Sequence, residues 1–98
     1  MNKKKITLGL VGAGRIGKMH AENILANFPM VHLKTIVDIK LDFAWAENIG
    51  IPVRSQEVTA ITDDQEIDAV VITTPSNTHV EMIKIMAEAG KNIFCEKI

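Results

Sequence analysis

Residues 6–17, ITLGLVGAGRIG, run from an apolar segment straight into glycines at positions 12, 14 and 17. An apolar run closed by glycine suits a strand buried on both faces, the kind found in parallel sheets. Glycine lets the chain turn sharply out of such a strand. The residues that follow begin a helix: Ile16, Met19, Ile24 and Phe28 fall near helical spacing, with Pro29 as the expected stop. Strand, tight turn and helix in immediate succession make the first half of a β-α-β unit.

The rest of the chain repeats that alternation. HLKTIVD reads as a second strand, and LDFAWAENI (41–49) as a short helix ended by Gly50. IPVR is a short third strand, with Pro52 favouring an edge or an entry. SQEVTAIT is a weak helical turn and DDQEID a polar loop. AVVITT, rich in β-branched residues, is the clearest strand. A helix over 78–89 is expected to bury Val80, Ile83, Met86 and Ala87, with Ser76 or Asn77 as its cap and Gly90 as its stop. NIFCE is the fifth strand. No internal repeat or low-complexity segment interrupts the pattern.

Near-continuous apolar strands alternating with helices imply an α/β fold, a doubly wound parallel sheet covered on both faces. Because crossovers in such units are right-handed in about 98% of cases, the expected order is 3-2-1-4-5. A full Rossmann-type sheet continues to a sixth strand, for which these 98 residues hold no segment. The expectation is one dinucleotide-binding domain over 1–98, truncated before that strand.

The glycine spacing G-x-G-x-x-G carries chemistry in this context. Gly12 permits the turn, Gly14 leaves room for a pyrophosphate to approach the backbone, and Gly17 lets the helix pack close to the sheet. Unpaired N–H groups and the dipole at the helix start then favour phosphate charge. Asp38 follows Gly17 by 21 positions, at the end of the second strand. That is near the distance of about 20 at which a carboxylate meets the adenosine ribose. A 2′-phosphate about 4–5 Å from it would cost roughly 3–4 kcal/mol at an effective dielectric near 20, which favours NAD over NADP. Lys40 could offset part of that repulsion.

Two further loops leave the same sheet edge, where ligands of parallel α/β proteins bind. TTPSNTH follows the fourth strand: Thr73 and Thr74 offer hydroxyls, and Pro75 turns the chain out of the strand. Asn77 and His79 have two readings, contact with a ligand or plain structure, with Asn77 capping the helix and His79 packed beneath it. CEKI follows the fifth strand and sets Glu96 and Lys97 at its end. With strands about 4.8 Å apart, Lys97 falls roughly 10 Å from the glycine loop, on the nicotinamide side. The alternative for Lys97 is an ordinary solvated lysine.

Composition narrows the classes. A net charge of −1 gives no footprint for nucleic acid or anionic lipid, and 47% hydrophobic residues exclude disorder. No stretch is long enough to span a bilayer. Lys3, Lys4 and Lys5 before an apolar run imitate a signal peptide, but glycines break that run and Arg15 follows at once. The single cysteine, Cys95, cannot form an internal disulfide, so a reduced, cytoplasmic setting is the simpler reading. Its apolar neighbours predict a buried, inert thiol. His20, His32 and His79 share no metal-ligand spacing. Trp45 reads as a packing residue, since no basic groove accompanies it.

The segments GAGRIGKMH (12–20), Asp38, TPSNTH (74–79) and CEK (95–97) together resemble the Gfo/Idh/MocA oxidoreductases, and within them the inositol 2-dehydrogenases. The resemblance covers essentially the whole chain. It implies an NAD-dependent enzyme that moves a hydride between NAD(P) and a cyclitol or sugar hydroxyl carbon. It further implies that Arg15 and Ile16 approach the pyrophosphate and that Thr73, Pro75, Asn77 and His79 line the cofactor's path. Lys97 matches the lysine of the family's E-K-P motif. The candidate cofactor-binding set is thus Gly12, Ala13, Gly14, Arg15, Ile16, Gly17, Asp38, Thr73, Thr74, Pro75, Asn77, His79, Glu96 and Lys97, with Lys97 the candidate catalytic residue.

This sequence departs from the family in two ways. Ile98 replaces the motif's proline, and the second domain, which supplies an aspartate–histidine pair, the substrate contacts and the contacts of a homo-oligomer, is absent. The expectation is a front portion, inactive alone. Two other classes fit the glycine loop, a non-catalytic NAD(H)-sensing module and an inactive remnant. A lysine at the nicotinamide favours the dehydrogenase over both.

Overall fold

The computed structural model describes residues 5–95. Its elements in chain order are β1 (Ile6–Val11), α1 (Arg15–Asn27), β2 (Val31–Val37), α2 (Phe43–Asn48), β3 (Val53–Ser55), α3 (Thr59–Thr62), β4 (Ala69–Ile72), a 3-10 turn (Ser76–Thr78), α4 (His79–Glu88) and β5 (Asn92–Cys95). The five strands form one parallel sheet in the order β3-β2-β1-β4-β5, the Rossmann-type arrangement read from the sequence.

Alternation along the strands divides the core into two layers. Leu8 and Leu10 of β1 and Ala69 of β4 point to one face, where Ala21 of α1 and Ala46 of α2 cover them. Val11, Val70 and Ile72 point to the other, beneath Ile61 of α3 and Met86 of α4. In β2 the alternation slips. Leu8 pairs with Leu33, but Gly9 pairs with Thr35, so Lys34 is an extra residue. The bulge changes the phase, which lets both Leu33 and Ile36, three positions apart, serve the first layer. Lys34 itself turns out to ion pairs with Asp64 and Glu66, both at 2.7 Å.

Helix α2 starts where Asp42 Oδ1 accepts the Trp45 amide at 3.1 Å. Trp45 is a packing residue, as its sequence context suggests. Its ring lies against the first core layer and under the Lys18 ammonium at 5.2 Å, and its indole N–H donates to Glu22.

Several local expectations need correction. Helix α1 turns Gly17 and Ala21 inward with Ile24 beside them, while Met19 and Phe28 are exposed. Helix α4 has the predicted period but another phase. Met82, Ile85, Met86 and Ala89 face inward, whereas Val80 is 78% exposed and Ile83 and Ala87 are also outside. Neither Ser76 nor Asn77 is its N-cap. They lie in the 3-10 turn, and Thr78 holds the cap position without a side-chain cap bond, because its hydroxyl donates to the Pro75 carbonyl instead. Cys95 is exposed, not buried, because β5 is an edge strand. Among the described residues no helix is long and apolar enough to cross a membrane.

Candidate functional site

The carboxyl ends of the strands are tied to one another past their last paired residues. The Gly12 amide donates to the Val37 carbonyl at 2.8 Å, the Thr73 amide to Val11 at 2.8 Å, and the Asp38 amide to Ser55 at 3.2 Å. These bonds set the loops after β1, β2, β3 and β4 side by side. Between them lies a groove of about 870 Å³, within the usual range of roughly 300–1,000 Å³ for small-molecule sites.

The glycine loop enters the groove for steric reasons that can be read atom by atom. Gly12 has φ +99°, and a Cβ there would stand 2.8 Å from the Thr73 carbonyl carbon and the Thr74 nitrogen. At Gly17 a Cβ would lie 1.9 Å from the Gly12 carbonyl oxygen, so only glycine lets α1 sit this close to the turn. Gly14 is different. A Cβ there would meet nothing within 4 Å, and Gly14 is part of the groove's lining. The first helical bond of α1 runs from the Lys18 amide to the Gly14 carbonyl at 2.9 Å. The amides of Arg15, Ile16 and Gly17 therefore precede the ladder, as the donors of a helix N-terminus do.

Asp38 stands opposite. Its Oδ2 accepts the Ala13 amide at 2.5 Å and its Oδ1 the Lys40 amide at 2.7 Å. The carboxylate thus steadies the glycine loop as well as facing the groove. Thr73, Thr74, Pro75 and Asn77 line the far wall. The Thr74 Oγ1 is buried and has no hydrogen-bond partner among the described residues.

His79 is half-buried and sits behind that wall, outside the lining. Its Nε2 lies 2.5 Å from the Thr74 carbonyl, which can only accept, so this nitrogen carries the proton. Nδ1 is then an acceptor for the Cys95 thiol, at 3.4 Å. His79 therefore ties the loop after β4 to the end of β5. Glu96 and Lys97, the expected contacts beyond β5, lie outside the described residues.

Among the lining residues with no part in the sequence-based site are Ile39, Gln56, Val58 and Met82. Gln56 follows β3 and donates to the Ile39 carbonyl at 2.8 Å. The signal that could have found it is topological. In an all-parallel sheet every strand's carboxyl end reaches the same edge, so the residue after β3 belongs there despite lacking a motif. Among the described residues no group of three or more His, Cys, Asp or Glu side chains is arranged to hold a metal ion.

Residues 6–97 match the Gfo/Idh/MocA family, described as an oxidoreductase family with an NAD-binding Rossmann fold. The inositol 2-dehydrogenase of Rhizobium meliloti (strain 1021) is 44% identical over 94 residues, which make up 94% of this chain and 28% of that protein. The scyllo-inositol 2-dehydrogenase (NAD(+)) of Bacillus subtilis (strain 168) is 37% identical over 95 residues, 95% of this chain and 28% of that protein. Among solved structures, the scyllo-inositol dehydrogenase of Lactobacillus casei with bound NAD(H) and scyllo-inositol aligns with a TM-score of 0.87 at 32% identity, over 96% of this chain and 28% of that one. The chain thus spans about 28% of the length of these relatives.

Proposed function

The chain belongs to the Gfo/Idh/MocA oxidoreductases, with their NAD-binding Rossmann fold, and from that premise we propose that it is the nucleotide-binding part of an inositol-dehydrogenase-like enzyme. The reaction is hydride transfer between NAD and a carbon bearing a cyclitol or sugar hydroxyl. One observation carries the reading above others. The glycine loop, Asp38 and the segment from Thr73 to Asn77, far apart in sequence, border a single groove.

In this reading the amides at the start of α1 hold the pyrophosphate, where the open space at Gly14 admits it. Asp38 accepts hydrogen bonds from the adenosine ribose hydroxyls and selects NAD over NADP. Thr74, in the lining of the groove, borders the nicotinamide half. NAD, when bound, supplies the hydride-accepting ring. Lys97 is assigned to the reacting carbon, where an ammonium can hold the hydroxyl and stabilise negative charge on its oxygen. With an unperturbed pKa near 10.4, it is a poor sole base at neutral pH. The base, the residues that select the substrate and the contacts of a homo-oligomer are assigned to a second domain of a longer parent. The setting proposed is the cytoplasm.

Inositols are favoured as substrates because relatives named for them align along nearly the whole chain. Calorimetry with NAD, NADH and NADP on the 98-residue chain tests the cofactor reading. NAD and NADH are expected to bind, NADP more weakly, and inositols are expected to give no turnover. Failure of both NAD and NADH to bind would overturn it. The substrate reading is tested by joining the chain to the remaining portion of the Rhizobium meliloti relative and comparing NAD reduction by inositols and by aldoses.

A further inference from the structure

Thr73 immediately follows β4 and is only 7% exposed. Its Oγ1 lies 2.6 Å from the Gly12 carbonyl oxygen and 3.1 Å from that of Val11. A threonine hydroxyl has one proton, and the shorter contact claims it for Gly12. The Gly12 carbonyl and the Ala13 amide are the two ends of one peptide group. At its other end, the Ala13 amide is held by Asp38 Oδ2 at 2.5 Å. The peptide that opens the glycine loop is therefore clamped from both sides, by a hydroxyl just after β4 and a carboxylate just after β2.

Sterics reinforce the clamp. A Cβ at Gly17 would lie 1.9 Å from that same carbonyl oxygen and 3.0 Å from Thr73 Oγ1. Carbonyl, hydroxyl and the first turn of α1 thus meet at one point. Since Gly12 sits at φ +99°, where glycine backbone is free to pivot, something else must fix its peptide plane. The chain runs from that plane through Gly14 into α1, whose first amides are those of Arg15, Ile16 and Gly17.

From this we infer that Thr73 is a positioning residue for pyrophosphate binding, acting through the Gly12–Ala13 peptide and not by contact with the cofactor. The sequence suggested a hydroxyl offered to a ligand. In the structure that hydroxyl is spent on the loop. The inference rests on the NAD-binding reading above and concerns only the pyrophosphate half of the groove, since adenosine is assigned to Asp38 and the β2–β3 side.

The test compares Thr73→Val, which keeps the shape and removes the hydroxyl, with Thr73→Ser, which restores it. Adenosine, ADP and NAD are titrated into wild type and both variants. Thr73→Val is expected to weaken ADP and NAD about five- to tenfold, the scale of one lost hydrogen bond. Adenosine should change less than about twofold, and Thr73→Ser should stay within about twofold of wild type for all three ligands. Equal losses for adenosine and NAD, no loss for NAD, or failure of serine to rescue would each overturn the inference. Should Thr73→Val not fold, Thr73→Ala carries the same comparison. Wild type that binds none of the three ligands would instead overturn the NAD-binding reading itself.

Discussion

The Ala13 amide donates to the Asp38 carboxylate at 2.5 Å across 25 positions of sequence, so the acid after β2 and the glycine loop after β1 form one unit. An aspartate at this point has two jobs. Its charge faces the groove, and its two oxygens hold the amides of Ala13 and Lys40. Losing it should therefore affect more than cofactor choice.

Asp38→Ala is expected to weaken NAD binding by about 1–3 kcal/mol, the usual scale for hydrogen bonds to a charged group. NADP should lose much less, because the same change removes repulsion of its 2′-phosphate. Asp38→Asn keeps an acceptor for Ala13 and should fall between. Calorimetry with both cofactors checks this. Equal affinities of wild type for NAD and NADP would refute the role of Asp38 in selection.

The parts of this structure legible in the sequence are those where backbone geometry allows few residues. Gly12 and Gly17 each have a neighbour inside the space of a Cβ, so no other residue could stand there, and the turn at Gly12 and the close helix packing at Gly17 are legible for that reason. Strand order followed from the apolar runs and crossover handedness. Side-chain phase was less legible. In α4, Val80, Ile83, Met86 and Ala87 have a helical period, as do Met82, Ile85, Met86 and Ala89, and both sets share Met86. Only packing against the sheet decides between them, and it chose the second set. Cys95 was misread for a related reason. An apolar run does not say whether its strand lies inside the sheet or at its edge, and β5 is at the edge. The clamp on the Gly12–Ala13 peptide was invisible because it joins three segments.

Gly17→Ala and Gly14→Ala separate packing from ligand access. At Gly17 the added methyl meets the Gly12 carbonyl oxygen at 1.9 Å, and backbone must move. The expected cost is about 1–3 kcal/mol, which lowers the melting temperature by at least about 4 °C for a chain of this size. NAD affinity should fall with it. At Gly14 the methyl meets nothing in the protein. Gly14→Ala should melt within about 2 °C of wild type yet bind NAD at least about tenfold more weakly, or roughly 1.4 kcal/mol. Thermal melts with and without NAD check both. Unchanged affinity in Gly14→Ala would mean that the pyrophosphate does not approach there.

The bulge in β2 carries a pH dependence. The hydrogen bond from Lys34, followed by the Glu66 amide, holds the Asp64 carboxyl below the usual carboxylate range. A depressed pKa contributes stability that is present above the ordinary carboxylate value and lost as pH falls through the folded one. Bonds to Asp64 and Glu66 raise Lys34 above its ordinary value, so its contribution is lost only in strong alkali. Solvent reaches all three side chains, Glu66 most of all, which keeps the effect small. Asp64→Asn should melt below wild type near about pH 7, and the difference should shrink toward about pH 3. A gap that stayed constant over that range would assign the loss to packing.

The outer edge of β5 should make the chain self-associate. Among the described residues β5 pairs only with β4, and its sequence NIFC contains neither lysine nor proline to blunt the free edge. Phe94 is 62% exposed on one face of that edge. Unpaired edges of this kind template pairing with another chain. Light scattering over a concentration series should show mass rising with concentration in wild type. Phe94→Lys, which places a charge on the edge without touching the buried layers, should shift that rise to higher concentration. A monomeric wild type across the series, or a variant that associates just as readily, would show that the β5 edge is not the surface at work.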